Sequence, residues 1–436
     1  MTAPQSAIYE ELIIESNNDP ERTVNLIPGT VSISYYEDIF SPTVTAKMQI
    51  INTGDTIDGE SLYNGLPLRG CERVHMKIQD SGKTYAGEDK PGLDFASDPL
   101  KYLYVSSISN LLRSGETESF VLHLISKEAI SNETTRVMKK YTGTIGQSAE
   151  DILTNILGIK KKSRIAVDAT LGEYSFIGNM KKPFHVLSWL ASKAIPVESK
   201  DATAGFLFYQ TKEGFNFRSI DDLIGQESKA TYTSIEVPQS SIERNNDFNI
   251  KQYSIKRNQN ISENLRLGLY CTQRMFFNPL NFQFSSPEEG IFTVKNDVVK
   301  KLGNDDIQLP KLSEDSEKTL DQIPSRIVSG LVDIGVMSQD VSKEPNADPN
   351  KNKSQSIMRY HSLHLQLIDM VVPCNTDLMA GDLITCVFPK MSRKDKENDG
   401  SISGKYIIKQ LCHHFETTKS YTSMTLVRDT FGFYGE

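Results

Sequence analysis

Chemistry in this chain would have to start from four short features: Cys412-His413-His414, Ser81-Gly82-Lys83-Thr84, Asp221-Asp222, and His185 four positions before Trp189. The first sets metal donors side by side. A zinc site also needs a second cluster at two-to-four-residue spacing, and the remaining histidines do not supply one. Cys374 and Cys386 flank a turn with eleven residues between them, which does not complete a set. The second run copies the end of a phosphate-cradling loop. That loop needs a glycine five positions before Gly82, where Lys77 stands at the end of an alternating strand. Ser81–Gly82 therefore reads as a hairpin turn. Asp221–Asp222 follows a hairpin and reads as a helix cap or turn, and the His185/Trp189 pair reads as packing. No G-x-S-x-G elbow occurs, and an acid of the lysozyme kind needs an apolar pocket that no run announces. No catalytic, metal or cofactor residue is expected, and the chain is expected not to be an enzyme.

The elements that would position any such group belong to a globular chain. Its 436 residues allow about three domains, and 38% hydrophobic with 24% charged residues suits a packed, water-facing fold. No apolar run reaches the roughly 18 residues needed to cross a bilayer. The opening MTAPQSAIYEELIIE lacks a basic region and an apolar core, so no secretory signal is expected. Five scattered cysteines suit a reducing cytoplasm with unpaired thiols. The net charge of -8 is concentrated: residues 1–60 hold ten acids against Arg22 and Lys47, and the rest sums to zero. An acidic first segment argues against tight nucleic-acid binding, which needs clustered Lys and Arg.

Period-two alternation at Val31–Tyr35, Val44–Ile50 and Val74–Ile78 predicts strands with one wet face. Phe120–Ile125 is apolar almost throughout and predicts a strand covered on both faces. Asn52–Gly54, Asn64–Gly65, Ser81–Gly82 and Ser114–Gly115 mark turns, so residues 1–125 predict an antiparallel barrel or sandwich. The texture then changes. Residues 147–158 predict a helix with Ser148 and Asp151 as a cap box and Gly158 as its stop. A second helix starts near Pro183 and ends before Pro196, and a hairpin covers 205–220. Strands are predicted at 265–271, 363–372, 383–388, 406–411 and 421–427. The runs 342–354 and 392–401 read as an exposed loop and a surface hairpin tip.

The C-terminal stretch carries a pattern: VVPCNTDLMAGDLI (371–384), then SGKYIIKQLCHHFE (403–416), then YTSMTLVRD (421–429). It resembles the closing barrel of hub proteins from contractile phage tails. The matching positions are Val372, Pro373, Asn375, Asp377, Leu378, Ala380, Gly381, Asp382 and Ile384. They continue with Gly404, Tyr406, Ile408, His413, Leu426, Arg428 and Asp429. Locally these residues are structural: Pro373 ends a strand, Asn375 and Asp377 favour an Asx-type turn, and Gly381 supplies a positive φ. The same signature is shared by late-control-type phage proteins and by the hub part of type VI secretion spikes.

The resemblance implies an α+β, mostly β chain: two tail-tube-like antiparallel barrels with an α/β insertion. The first barrel would be 1–125 and the second 244–276 with 351–436, leaving 126–243 and 277–350 as insertion and irregular region. Three copies would form a ring of pseudo-six-fold symmetry, neighbouring barrels joining edge to edge. Partners would be a homotrimer of itself, the tail tube protein, the spike protein and baseplate wedge proteins. The site would be the virion baseplate, assembled in the host cytoplasm, with DNA passing unread through a channel and no membrane insertion. An acidic lining would repel phosphates, and the acids of residues 10–60 are expected to contribute to it. A type VI or other injection-system hub is the first rival, although such chains usually continue into a long spike and this one stops just after Gly432. A tail-associated peptidoglycan hydrolase is the second, and a carbohydrate- or receptor-binding β protein the third.

Overall fold

The structure, a computed structural model, describes residues 7–432 apart from 198–202, 235–245, 258–259, 286–289, 306–308, 333–352, 392–397 and the single positions 20, 55, 81, 83, 280 and 299. The first β unit comprises β1 (Ile8–Glu15), β2 (Thr23–Asn25), β3 (Thr30–Asp38), β4 (Thr45–Thr53), β5 (Arg73–Gln79), β6 (Leu93–Phe95), β7 (Leu103–Ser114) and β8 (Thr117–Ser126), with a short helix α1 (Leu62–Gly65). Its core gathers the inward residues of these strands, among them Leu12, Ile33, Met48, Met76, Val105 and Leu122. Phe120–Ile125 is covered fully on one face only: Phe120, Leu122 and Leu124 are buried while the residues between them are half-buried. Val31 is exposed, because the register slips between Thr30 and Ser32. Asn64–Gly65, predicted as a turn, forms the end of α1, and the turn follows at Leu66–Pro67.

The middle of the chain builds a separate core around α2 (Lys127–Thr134), β9 (Lys140–Tyr141), α3 (Ile145–Asp151), β10 (Ile165–Val167), β11 (Phe176–Ile177), α4 (Pro183–Ala191), β12 (Phe206–Gln210) and β13 (Phe215–Ser219). The α3 cap lies earlier than expected. Thr144 and Gln147 bond reciprocally as a capping box, and the α-helix passes at Ile152 into a π turn ending at Ile156. Gly158 stops it at φ 76°. α5 (Ile220–Gly225) then returns the chain to the large sheet.

The second β unit uses β14 (Thr231–Ser234), β15 (Asn249–Ile250), β16 (Gln252–Arg257) and four later strands. Between them lie α6 (Ile261–Leu267), a small four-stranded sheet of β17 (Cys271–Asn278), β18 (Gln283–Phe284), β19 (Ile291–Thr293) and β20 (Arg326–Leu331), and helices α7 (Val294–Asp297) and α8 (Lys353–Ser362). The stretch 265–271, predicted as a strand, is instead the last turn of α6, a three-residue turn and the first residue of β17. Asn260 caps α6, and Gly268 ends it at φ 70° before β17 begins at Cys271. The later strands are β21 (Gln366–Pro373), β22 (Leu383–Val387), β23 (Gly404–Glu416) and β24 (Ser420–Arg428). Residues 342–352 and 392–397 of the two polar runs lie outside the described residues; Lys353 and Ser354 open α8, and Ser354 is buried.

The two expected barrels do not close. Among the described residues the strands of both units form one 15-stranded sheet. The reason lies in β23. One of its edges pairs with β24; the other pairs with β22 over Gly404–Ile407 and then, past a bulge at Ile408/Gln410, with β3 over Gln410–Glu416. Hydrogen-bonding capacity that would close one unit on itself is spent joining the two. The register of Gln410 against Asp38 and Glu416 against Ser32 makes one long strand common to both units.

Candidate functional site

The signature stretch 371–384 sits where the first unit, the middle segment and the second unit meet. Pro373 is the last residue of β21, Asp377 N–H donates to Asn375 Oδ1 (3.2 Å), and Met379 N–H donates to Asp382 Oδ2 (2.8 Å). Gly381 takes φ 92°, and a Cβ there would run into the Tyr209 hydroxyl. Local turn chemistry thus shapes the loop as the sequence predicts. What holds it is less local.

From the first unit, Asp80 Oδ2 accepts from the Thr376 backbone (3.1 Å) and hydroxyl (3.2 Å), and Gly92 N–H donates to the Thr376 hydroxyl (3.1 Å). Lys90, wholly buried, reaches the Cys374 carbonyl and lies 3.7 Å from Asp80. Glu37 of β3 is buried too, and its carboxylate accepts from three directions: the Tyr35 hydroxyl (2.9 Å), Lys212 N–H (2.6 Å) and Ala380 N–H (2.8 Å). Burial pushes its pKa up to about 7, against those hydrogen bonds, which pull it down. From the middle segment, Lys212 reaches the Thr376 carbonyl with its ammonium, Gln226 donates to the Gly381 carbonyl (3.0 Å), and Lys229 donates to the Asp377 carbonyl (2.6 Å) and to Asp382 (3.1 Å). Within the second unit, Asn375 donates to the Tyr232 hydroxyl (2.8 Å) and takes Thr422 Oγ1 on its N–H (3.0 Å).

A second buried cluster lies behind it. Arg359 of α8, fully buried, donates to Asp429 (2.8 Å), to Asp221 (3.2 Å) and to the Lys300 carbonyl (2.6 Å). Asp429 also accepts from Leu302 N–H (2.9 Å), and its neighbour Arg428 packs on the Tyr406 ring while donating to the Ser403 carbonyl (3.1 Å). One guanidinium bridging two carboxylates ties α5, α8 and the residue that follows the chain's last strand together. Burying such a group is costly, and its two Nη atoms make these bonds while Nε is buried with no partner among the described residues.

No protein-family model matches the sequence, and no curated protein is similar to it. Solved structures are. A tail protein of Neisseria meningitidis superposes over 98% of this chain and 98% of its own with a TM-score of 0.54 at 8% identity. The 43 kDa tail protein of prophage MuSo2 from Shewanella oneidensis covers 96% and 98% with a TM-score of 0.51 at 10% identity. The chain has the fold of a phage tail protein. A component of the E. coli type VI secretion system aligns more loosely, with a TM-score of 0.41 at 8% identity over 99% of this chain. With the two tail proteins, at 8–10% identity, the fold alone is shared.

Within that fold the residues considered for chemistry do not converge. His413 is buried on β23 against Thr422 (2.9 Å), and burial pushes its pKa down to about 3. His414 points to the opposite face, to Ser34 (2.7 Å) and Glu416 (3.0 Å), and Cys412 shares that face. Strand alternation separates what the sequence sets side by side. Cys374 and Cys386 are buried in different cores. Among the described residues no group of three His, Cys, Asp or Glu side chains could hold a metal. Asp221 is neither cap nor turn alone: Ser219 caps α5, and Asp221 pairs with Arg359. Trp189 packs against Phe176, with Lys193 over its ring. Ser81 and Lys83 lie outside the described residues. The acids of 10–60 do not make one face. Glu37 is in the junction, Glu10 pairs with Lys77 (2.7 Å), Glu15 with His75 (2.8 Å), and Asp58 with Arg22 (2.6 Å).

The junction residues Glu37, Asp80 and Lys212 were missed by motif, yet the first two had a signal. Extending Ile33, Tyr35 by period two puts Glu37 on the core face, and extending Met76, Ile78 does the same for Asp80. A charge in a core register announces a buried contact.

Proposed function

We propose that the chain is the structural hub of a contractile phage tail baseplate, joining a six-fold tube to a three-fold spike around a channel for the genome. Three copies close into a ring, each contributing two β units, so that a three-fold assembly offers six similar positions to the tube. The observation that carries this reading is the shared strand β23: within one chain it already joins two β units edge to edge into one sheet. Continuing the same joint between copies would satisfy outer strand edges that are aggregation hazards in a lone chain. The hub signature sits on that joint, clamped by buried groups from all three parts of the chain. The role is mechanical and needs no reaction centre. Its partners are two further copies, the tube protein, the spike protein and the wedge proteins, and its place is the virion baseplate. DNA passes without sequence reading.

Light scattering on the purified chain, alone and mixed with tube and spike proteins from the same tail, tests this. A mass of three chains that captures both partners is expected. A monomer that captures neither overturns the reading. A zymogram on cell walls is expected to stay blank; clearing would place a hydrolase here instead.

A further inference from the structure

The segment between α2 and α4 has the opposite charge to the start of the chain. Residues 127–193 carry eleven basic side chains against six acidic ones. Two of its stretches repeat one another: Met138-Lys139-Lys140 and Met180-Lys181-Lys182. The fold sets them side by side. Val137 N–H donates to the Lys181 carbonyl (2.9 Å), Met180 N–H to the Val137 carbonyl (3.1 Å), and Gly178 N–H to the Lys139 carbonyl (3.2 Å). Ile177 stands opposite Lys140 in the β9–β11 pair. Met138, Met180 and Ile177 are 66%, 60% and 50% exposed. Around them lie Lys139, Lys140 and Lys181, all exposed; Lys139 also reaches Asp151 (2.7 Å), and Lys182 pairs with Glu133. Exposed methionines inside a ring of lysines make an adaptable, positively charged docking surface.

The matching surface is on the first unit. A groove of about 680 Å³ runs between Arg22–Leu26 and Ile50–Thr53, with an apolar floor that includes Val24, Ile57 and the exposed Ile51. Asp58 lies in its wall, paired there with Arg22 (2.6 Å), and the exposed acids Asp19, Glu21 and Glu60 stand within three residues of its lining along the chain, so that acids outnumber Arg22 around it. We propose that the paired Met-Lys-Lys surface of one copy docks on this acid-rimmed groove of a second copy. Both halves are apolar within and charged without, and their signs are opposite. Because the two patches differ, the contact is head-to-tail, and it closes a ring of three when each copy is turned by a third of a circle from the last. This rests on the homotrimer reading above and names which surfaces meet in it.

The test is oligomeric mass by light scattering at low and high salt for four proteins. Wild type is expected at three chains, with a shift toward smaller species as salt screens the contact. Lys140→Glu with Lys181→Glu is expected to fall to one chain, as is Glu21→Lys with Glu60→Lys. All four positions are exposed, and circular dichroism checks that the fold survives. The chain carrying all four changes restores opposite signs and is expected to return to three chains. If both double variants keep the wild-type mass, this pairing is wrong while the trimer stands. A monomeric wild type sinks the trimer reading itself. Retention of anionic vesicles or duplex DNA by wild type, lost in the lysine variant at unchanged mass, overturns the proposal in favour of that ligand.

Discussion

The turn that follows Pro373 and the small sheet β17–β20 are two connections of the same second unit, built on opposite principles. The turn is short, buried and polar: Asp80, Lys90, Glu37 and Lys212 converge on it from outside the unit. The small sheet spans Cys271 to Leu331 and leaves large apolar side chains in solvent, with Phe282, Phe284, Ile327 and Leu331 all more than half exposed. One region is over-determined by groups that would be orphaned if it moved. The other can change its surface with little consequence for the rest. The difference explains why a readable residue pattern marks the first and none marks the second.

The largest break should come at Arg359. Replacing it with Met keeps the volume but leaves Asp221 and Asp429 buried without their cation, at a cost of about 3–5 kcal/mol. A urea midpoint that moves by the equivalent of less than about 1 kcal/mol would show that the cluster does not bind the three elements together. Arg359→Lys should recover only part, because one ammonium cannot serve two carboxylates and a carbonyl in a planar fork.

Next in size is Gly381→Ala. The positive φ alone costs about 1–2 kcal/mol, and the new methyl meets Tyr209. Tyr209→Phe in the same chain should return part of the steric share and none of the backbone share. A double-mutant cycle on thermal stability separates the two; full additivity would mean that Tyr209 does not set the glycine requirement.

Much of this region was legible. Alternation located the strands at 31–35, 44–50 and 74–78, apolar runs located those at 406–411 and 421–427, and Gly381 was assigned its positive φ from the turn type. The joint itself was not legible. Whether β23 closes its own unit or pairs with β3 depends on an edge-to-edge choice between segments 372 to 384 residues apart, and period-two patterning is satisfied either way. Helix α6 was hidden for a different reason: Leu265 and Leu267 alternate like a strand, and only the Asn260 cap and Gly268 stop reveal the helix. Arg359 sits in a polar-looking run, where burial leaves no periodic trace.

The pH dependence sharpens the comparison, because two buried groups of the joint work in opposite directions. Glu37 has its pKa raised from 4.5 to about 7, so its contribution is complete below about pH 4.5 and is lost as pH rises through 7. His413 has its pKa lowered from 6.5 to about 3, so its contribution is complete above about pH 6.5 and is lost as pH falls toward 3. Between pH 4.5 and 6.5 each changes stability by about 1.4 kcal/mol per pH unit, and the two cancel. Glu37→Gln should therefore make stability fall, relative to wild type, on acidification over that range. His413→Gln should make it fall, relative to wild type, on raising the pH. Urea midpoints at four pH values read both slopes, and parallel curves for all three proteins would remove these groups from the joint's energetics.

The smallest effect belongs to the other region, and its smallness is the point. Phe284→Ser and Ile327→Ser remove side chains that are 66% and 57% exposed, on strands β18 and β20 that flank β17. Little apolar area returns to water, so each change should stay within about 0.5 kcal/mol in the isolated chain. Phe284 does touch the Phe277 ring at 5.2 Å, which sets the upper end of that range for this variant. A loss of about 2 kcal/mol or more from either serine would mean that the small sheet braces the molecule as firmly as the turn does, and the contrast between a fixed joint and a tolerant satellite would fail.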